Sequence, residues 1–193
     1  YNTPGPKIIR HVTTNARGCI SDTLTQTINV SAKPIANFGF SNPLCTGLPV
    51  QFSDSTLVAG GTATQWNWIY NGAEWSTLQN PARNFAAGPQ TVQLVATSSD
   101  GCVSDTVAKN FVILPTPNVS FNFNDACKND VVSFTAVDNS ATVTTWKWDF
   151  GDGGISNTRD TQHMYTAGGT YLVKLYASAS NGCYSGSLEK NII

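Results

Sequence analysis

Apolar and polar residues alternate along most of the chain in short runs of period two. Val50-Gln51-Phe52, Gln65-Trp66-Asn67-Trp68 and Thr91-Val92-Gln93-Leu94-Val95-Ala96 are of this kind. So are Val132-Ser133-Phe134, Trp146-Lys147-Trp148-Asp149-Phe150 and Thr170-Tyr171-Leu172-Val173-Lys174-Leu175-Tyr176. An extended backbone points successive side chains to opposite faces, so these runs predict strands with one buried face and one wetted face. Gly, Asn, Asp, Ser and Pro bound the runs, as turns require. No stretch keeps a helical period long enough to compete. Short strands without helices bury their apolar faces only by packing sheet on sheet. The prediction is therefore all-β: tandem immunoglobulin-like β-sandwiches of about seven strands each.

The alternation itself recurs. Asp100-Gly101-Cys102-Val103-Ser104-Asp105-Thr106-Val107 is echoed upstream by Arg17-Gly18-Cys19-Ile20-Ser21-Asp22-Thr23-Leu24 and downstream by Asn181-Gly182-Cys183-Tyr184-Ser185-Gly186-Ser187-Leu188. Cys45 and Cys127, and Trp66-Asn67-Trp68 and Trp146-Lys147-Trp148, share the same period of about 80 residues, the length of one small sandwich. Aligned on these landmarks, residues 1–33 are expected to be the last two strands of an incomplete repeat. Tyr1 then precedes Cys19 as Tyr165 precedes Cys183. Residues 34–114 form one whole, divergent repeat and 115–193 another, with Pro34, Pro115 and Pro117 as short stiff linkers.

Within the third repeat, Trp148-Asp149-Phe150-Gly151-Asp152-Gly153, then His163-Met164-Tyr165, then Gly169-Thr170-Tyr171-Leu172-Val173-Lys174-Leu175 and Asn181-Gly182-Cys183, resemble the signature of the PKD (polycystic kidney disease) domain in its usual order. The middle repeat departs from it, with Trp68-Ile69-Tyr70-Asn71-Gly72 at the turn and Arg83-Asn84-Phe85 for His-x-Tyr. The signature has structural reasons. Gly151 and Gly153 tolerate a tight turn, and Asp carboxylates hydrogen-bond nearby amides. Trp148 and Phe150 supply core area, and Tyr165 can bury its ring while its hydroxyl stays bonded. Asp149, Asp152 and His163 are accordingly expected to organise the sheet rather than to catalyse. The resemblance also implies that Asp125, Asp130 or Asp138 can contribute to calcium binding near a domain junction, with surface solvation as the alternative.

Composition narrows the chemistry. Charged residues are 12% of the chain and the net charge is −1, which leaves no basic excess for phosphates or lipid headgroups. Nucleic-acid and membrane partners are therefore not expected. No long apolar run exists, and any export signal is expected to lie outside this sequence. The five cysteines stand singly, without C-x-x-C, and do not suggest zinc. The only histidines are His11, aligned to a strand position of the third repeat (Leu175), and His163. A nucleophile with its base is not in evidence, so no catalytic residue, metal or cofactor is expected.

Regular single cysteines suggest disulfides in an oxidising compartment. Counting favours pairs within repeats, Cys45 with Cys102 and Cys127 with Cys183. Topology favours another pairing. In an immunoglobulin-like sandwich the turn before the second strand and the last hairpin lie at opposite ends. A strand of about eight residues spans ~26 Å, whereas bonded cysteines need Cα atoms within ~7 Å. The preferred expectation is therefore a bridge between repeats, Cys45 to Cys183, with Cys19 and Cys102 reaching towards an upstream repeat and Cys127 forward. The intra-repeat pairs stay open.

Surface features complete the picture. Thr23, Ser55 and Thr106 each follow an Asp and resemble the O-glycosylation motif of secreted proteins in gliding, type IX-secreting bacteria. Asn29 and Asn118 fit the N-glycosylation pattern. Trp75 lies outside the strand pattern and either contacts a sugar or protein ligand or folds over the sandwich. The resemblance implies a secreted, extracellular or cell-surface location. The leading expectation is a non-catalytic adhesin or stalk in contact with neighbouring repeats of its parent chain and with extracellular protein or polysaccharide. The rivals are an accessory module of a secreted polysaccharide- or protein-degrading enzyme and a subunit of an extracellular filament.

Overall fold

In the computed structural model, which describes residues 3–124, 127–140 and 142–193, every regular element is a β-strand. A hairpin of β1 (Gly5–His11) and β2 (Leu24–Val30) comes first. Seven strands follow: β3 (Phe38–Phe40), β4 (Val50–Asp54), β5 (Ala63–Tyr70), β6 (Ala73–Ser76), β7 (Ala82–Arg83), β8 (Gly88–Ser98) and β9 (Val107–Ile113). The pattern then repeats as β10 (Val119–Phe123), β11 (Val131–Asp138), β12 (Val143–Asp149), β13 (Ile155–Ser156), β14 (Thr161–Met164), β15 (Tyr171–Ala179) and β16 (Leu188–Ile192). Sheet orders β3-β4-β7 and β6-β5-β8-β9 match β10-β11-β14 and β13-β12-β15-β16 strand for strand. Both are immunoglobulin-like sandwiches of a three-stranded and a four-stranded sheet. Even a register shift recurs, between Ala63 and Gln65 in β5 and between Val143 and Thr145 in β12.

By packing, the chain divides into two compact units. The first comprises residues up to Phe40, Gln51–Ala82 and Thr91–Phe111; the second comprises Ser41–Val50, Arg83–Gln90 and Val112–Ile193. This partition differs from the sequence period, because three segments of the 34–114 repeat, Ser41–Val50, Arg83–Gln90 and 112–114, belong to the second unit. Their attachment is visible there: Leu114 pairs with Cys45 in a parallel bridge, the Leu114 N–H donates to Leu44 O (2.8 Å) and the Thr46 N–H to Leu114 O (2.9 Å).

In the first unit Phe38, Phe52, Trp68, Val92, Leu94, Ala96 and Phe111 are buried. The Trp68 ring lies 5.0 Å from Phe38 and 5.4 Å from Phe52, and its indole N–H donates to Leu78 O (2.8 Å). In the second unit the equivalent rings are Trp148, Phe121 and Phe134, at 5.2 and 5.6 Å, and Trp148 donates to Thr158 O (2.9 Å). A buried indole needs such a partner, since an unpaired N–H in the core costs roughly 1–3 kcal/mol.

A lysine closes each sandwich edge. Lys109 on β9 donates to Phe38 O and holds its amino group 5.2 Å from the Phe38 ring centre. Lys190 on β16 does the same to Phe121, at 4.9 Å. Each lysine thus ties the last strand of the four-stranded sheet to the first strand of the other. The β1–β2 hairpin runs from Gly5↔Val30 to His11↔Leu24 and leaves Ile8 and Leu24 exposed.

Two predicted strand limits shift. Phe150 lies beyond β12, because the Asp149 carboxylate accepts the Gly151 N–H (3.0 Å) and turns the chain out of the sheet. Thr170 lies just before β15.

Candidate functional site

The signature residues form one connected turn in the second unit. Asp149 bonds Gly151 as above, Asp152 Oδ1 accepts the Gly154 N–H (2.9 Å), and the Phe150 N–H donates to Gly154 O (3.0 Å). The other Asp152 oxygen meets His163 Nε2 at 2.7 Å. The His163 ring stacks on Phe150 at 4.2 Å and stands edge-on to Tyr165 at 4.7 Å. The Tyr165 hydroxyl donates to Phe150 O (3.1 Å) from a buried position, and its ring stacks on Tyr171 at 4.3 Å. His163, β14 and the turn are thereby locked to the core ring Phe150.

Two glycines are required rather than merely tolerated. Gly151 has φ of 80°, and a Cβ there would lie 2.8 Å from Leu172 O. A Cβ on Gly154, which the sequence reading passed over, would lie 2.6 Å from His163 Cε1. The electrostatics follow from this packing. Burial pushes the Asp152 carboxyl up, but the His163 hydrogen bond, the Gly154 N–H and the His163 charge outweigh it and hold the group below its usual value. Burial, with Asp152, Tyr171 and Asp149 nearby, pushes the Tyr165 hydroxyl well above its ordinary range. Asp149, Asp152, His163 and Tyr165 each bond within the turn or to the strands beside it. The arrangement organises structure.

The second cluster is covalent. Cys45 and Cys183 are bonded (S–S 2.02 Å, Cα–Cα 5.8 Å) and both are buried. Around them Thr116 N–H donates to Thr46 Oγ1 (3.0 Å), the two threonine hydroxyls meet at 3.1 Å, and Asn181 Nδ2 reaches Pro115 O (3.5 Å). The pairs Cys45–Cys102 and Cys127–Cys183 are not formed. Cys45 and Cys183 take each other, and Cys19, Cys102 and Cys127 are free thiols, Cys19 and Cys127 exposed and Cys102 partly buried. The roles of Leu114, Thr46 and Thr116 could not be read from sequence, since no motif marks a linker that pairs with a distant loop.

Other predicted residues are placed as follows. Trp75, on β6, is half-buried with its ring 6.0 Å from Phe52. Thr23, Ser55 and Thr106 are exposed in loops, and Asn29 and Asn118 are exposed. His11 is exposed at the end of β1. Asp138 accepts the Ser140 N–H and hydroxyl (2.9 and 2.7 Å) and the Val143 N–H (2.9 Å), so its carboxylate is used by the turn after β11. Asp130 accepts the Cys127 N–H (3.3 Å), while Asp125, like Tyr1, lies outside the described residues. Among the described residues no three His, Cys, Asp or Glu side chains converge on one point.

Paired sheets, a ring-stacked turn and a covalent staple define an immunoglobulin-like β-sandwich module. Residues 115–192 match the family model of the PKD domain. Among solved structures, the PKD1 domain of Vibrio anguillarum Epp is 25% identical with a TM-score of 0.38, over 43% of this chain and 95% of that one. The PKD1 domain from Vibrio cholerae metalloprotease PrtV is 25% identical with a TM-score of 0.37, over 42% and 98%. Fibronectin(III)-like modules of Clostridium thermocellum CbhA are 14% identical with a TM-score of 0.39, over 81% and 93%. Comparison with curated proteins gives no match.

Proposed function

We propose that this chain is a non-catalytic structural and adhesive repeat region of a secreted bacterial cell-surface protein, divided as 1–33, 34–114 and 115–193, and that it bears load as a stalk. The observation that carries this reading is the Cys45–Cys183 bond. It joins cysteines of successive sequence repeats and closes a loop of 138 residues. Such bonds persist in oxidising, extracellular compartments. In the chain-entropy picture, closing a loop of this length removes roughly 5 kcal/mol of unfolded-state freedom. Its mechanical effect is larger. A chain pulled from its ends passes tension through the bridge, so the residues between the cysteines cannot extend while it holds. Exposed Thr23, Ser55 and Thr106 are acceptors for O-linked sugars in this reading.

The test is single-molecule stretching of the chain with and without reductant. Reduction is expected to release the 138 residues of the loop, about 470 Å of added length at ~3.4 Å per residue. Full extension without reductant overturns the stalk, as does antibody labelling of the parent only in lysed and not in intact cells. Retention of the chain on cellulose, chitin or collagen moves the reading towards a substrate-targeting module.

A further inference from the structure

The three free cysteines sit in the same local geometry as the two that are bonded. Around Cys183, the Ala179 N–H donates to Cys183 O (2.9 Å), the Gly182 N–H to Ala179 O (3.1 Å), the Ser185 N–H to Ala177 O (2.8 Å) and the Ala177 N–H to Ser185 Oγ (3.1 Å). Around Cys102 the corresponding bonds are Ser98 to Cys102 O, Gly101 to Ser98 O, Ser104 to Ala96 O and Ala96 to Ser104 Oγ, all 2.9 Å. Around Cys19 they are Asn15 to Cys19 O (3.0 Å), Gly18 to Asn15 O (3.0 Å), Ser21 to Thr13 O (2.8 Å) and Thr13 to Ser21 Oγ (3.0 Å). Gly18, Gly101 and Gly182 have φ of 83°, 80° and 82°.

The opposite half of the bridge is repeated as well. The Leu48 N–H donates to Cys45 O (3.3 Å) across Gly47 at φ 82°, and the Asp130 N–H donates to Cys127 O (2.9 Å) across Asn129 at φ 66°. Asn is one of the few residues other than Gly that accept this left-handed conformation, so the turn keeps its shape through a change of residue. Five cysteines thus occupy two kinds of turn, and the one bonded pair joins one of each kind.

We infer that Cys127 and Cys19 are preformed halves of the bridge seen at Cys45–Cys183. Cys127, on a turn of the Cys45 kind, takes a thiol borne on a Gly-Cys turn of the Cys183 kind; Cys19 is such a thiol. The partner is a second copy of this chain, joined end to end. Both thiols are exposed, whereas Cys102 is partly buried. The contact uses different surfaces on the two copies, so each linked pair keeps one free half at either end and the linkage continues from copy to copy. A Cys127 thiolate attacks a small-molecule disulfide such as oxidised glutathione, releasing one glutathione thiol. The Cys19 thiolate of the next copy then displaces the second glutathione. The two protein thiols lose two electrons and two protons, which the glutathione disulfide takes up.

This inference rests on the reading as an extracellular array, and the test separates the two. The chain, Cys19→Ser and Cys127→Ser are each incubated in a glutathione redox buffer and followed by non-reducing electrophoresis and peptide mass mapping. The unaltered chain is expected to give a ladder linked Cys127 to Cys19. Each variant alone is expected to stay monomeric, and their mixture to give a dimer. Asn129→Val, which keeps the thiol but not the turn, is expected to lose the ladder while a merely exposed thiol would keep it. Cross-links within either serine variant, Cys127–Cys127 dimers, or unlinked thiols overturn the inference. If Cys45–Cys183 is formed in the same samples, only this inference fails; if it too is reduced, the extracellular reading fails with it.

Discussion

The turn after β5 and the turn after β12 do the same job with different chemistry. In the middle repeat Asn71 and Gly72, at φ 51° and 77°, join Tyr70 directly to Ala73 in a two-residue hairpin. In the third repeat the connection runs from Asp149 to Ile155, and Asp152 is held by His163. The rings differ in step. Phe134 packs on Phe150 at 5.2 Å, with His163 stacked behind it, whereas Phe52 meets Trp75 at 6.0 Å. Trp75 gives Phe52 the aromatic neighbour that Phe150 gives Phe134. Each sandwich thus sets a further ring against this residue beside a sharp reversal of the chain, and does so with different residues.

Substitutions can break the comparison in order of effect. Trp68→Ala and Trp148→Ala are expected to cost alike, ~3–5 kcal/mol each, because both empty the same fully buried site. Urea denaturation with hydrogen exchange resolved along the chain measures them, and a large inequality would show that the two cores are not equivalent. Gly151→Ala comes next, at about 3 kcal/mol, since a Cβ meets Leu172 backbone as well as the left-handed strain. Gly72→Ala meets open space and should cost only the strain, about 1–2 kcal/mol.

Trp75→Ala is expected to cost ~2 kcal/mol, with the loss confined to exchange protection around β4 and β6. Unchanged protection there, with lost binding to a sugar or protein, would return Trp75 to the ligand reading. The smallest effect belongs to charge. Because the Asp152 carboxyl is held below its ordinary 3.8, its contribution is present above that pH and is lost as pH falls through the lower folded value. Asp152→Asn should flatten this acid limb of the third repeat, by about 1 kcal/mol, and leave protection in the middle repeat untouched.

Much of this was legible in sequence, because strands of half-buried sheets write their faces as alternation. Val132-Ser133-Phe134 and Trp146-Lys147-Trp148 are found where that pattern puts them, and seven strands occur in each whole repeat. The Cys45–Cys183 pairing was the preferred of two readings, on the ground of which end of a sandwich each turn occupies, and it is the one formed. What failed to show depends on register between distant segments. Gly154 matters because His163 lies over it, and Lys109 matters because Phe38 O faces it, and neither relation leaves a periodic trace. The packing units were hidden for the same reason, since Leu114 joins Leu44 and Thr46 through backbone atoms that any residue carries.

The two edge lysines have a consequence for how such a protein is made. Neighbouring sandwiches of similar sequence emerge on one polypeptide at high local concentration, where the open edge of one can add to the sheet of the next and lock a misfolded swap. Lys109 and Lys190 occupy the carbonyls of Phe38 and Phe121 on the first, edge strands β3 and β10, and set a charge beside them. Each domain thereby guards its own seam against its siblings.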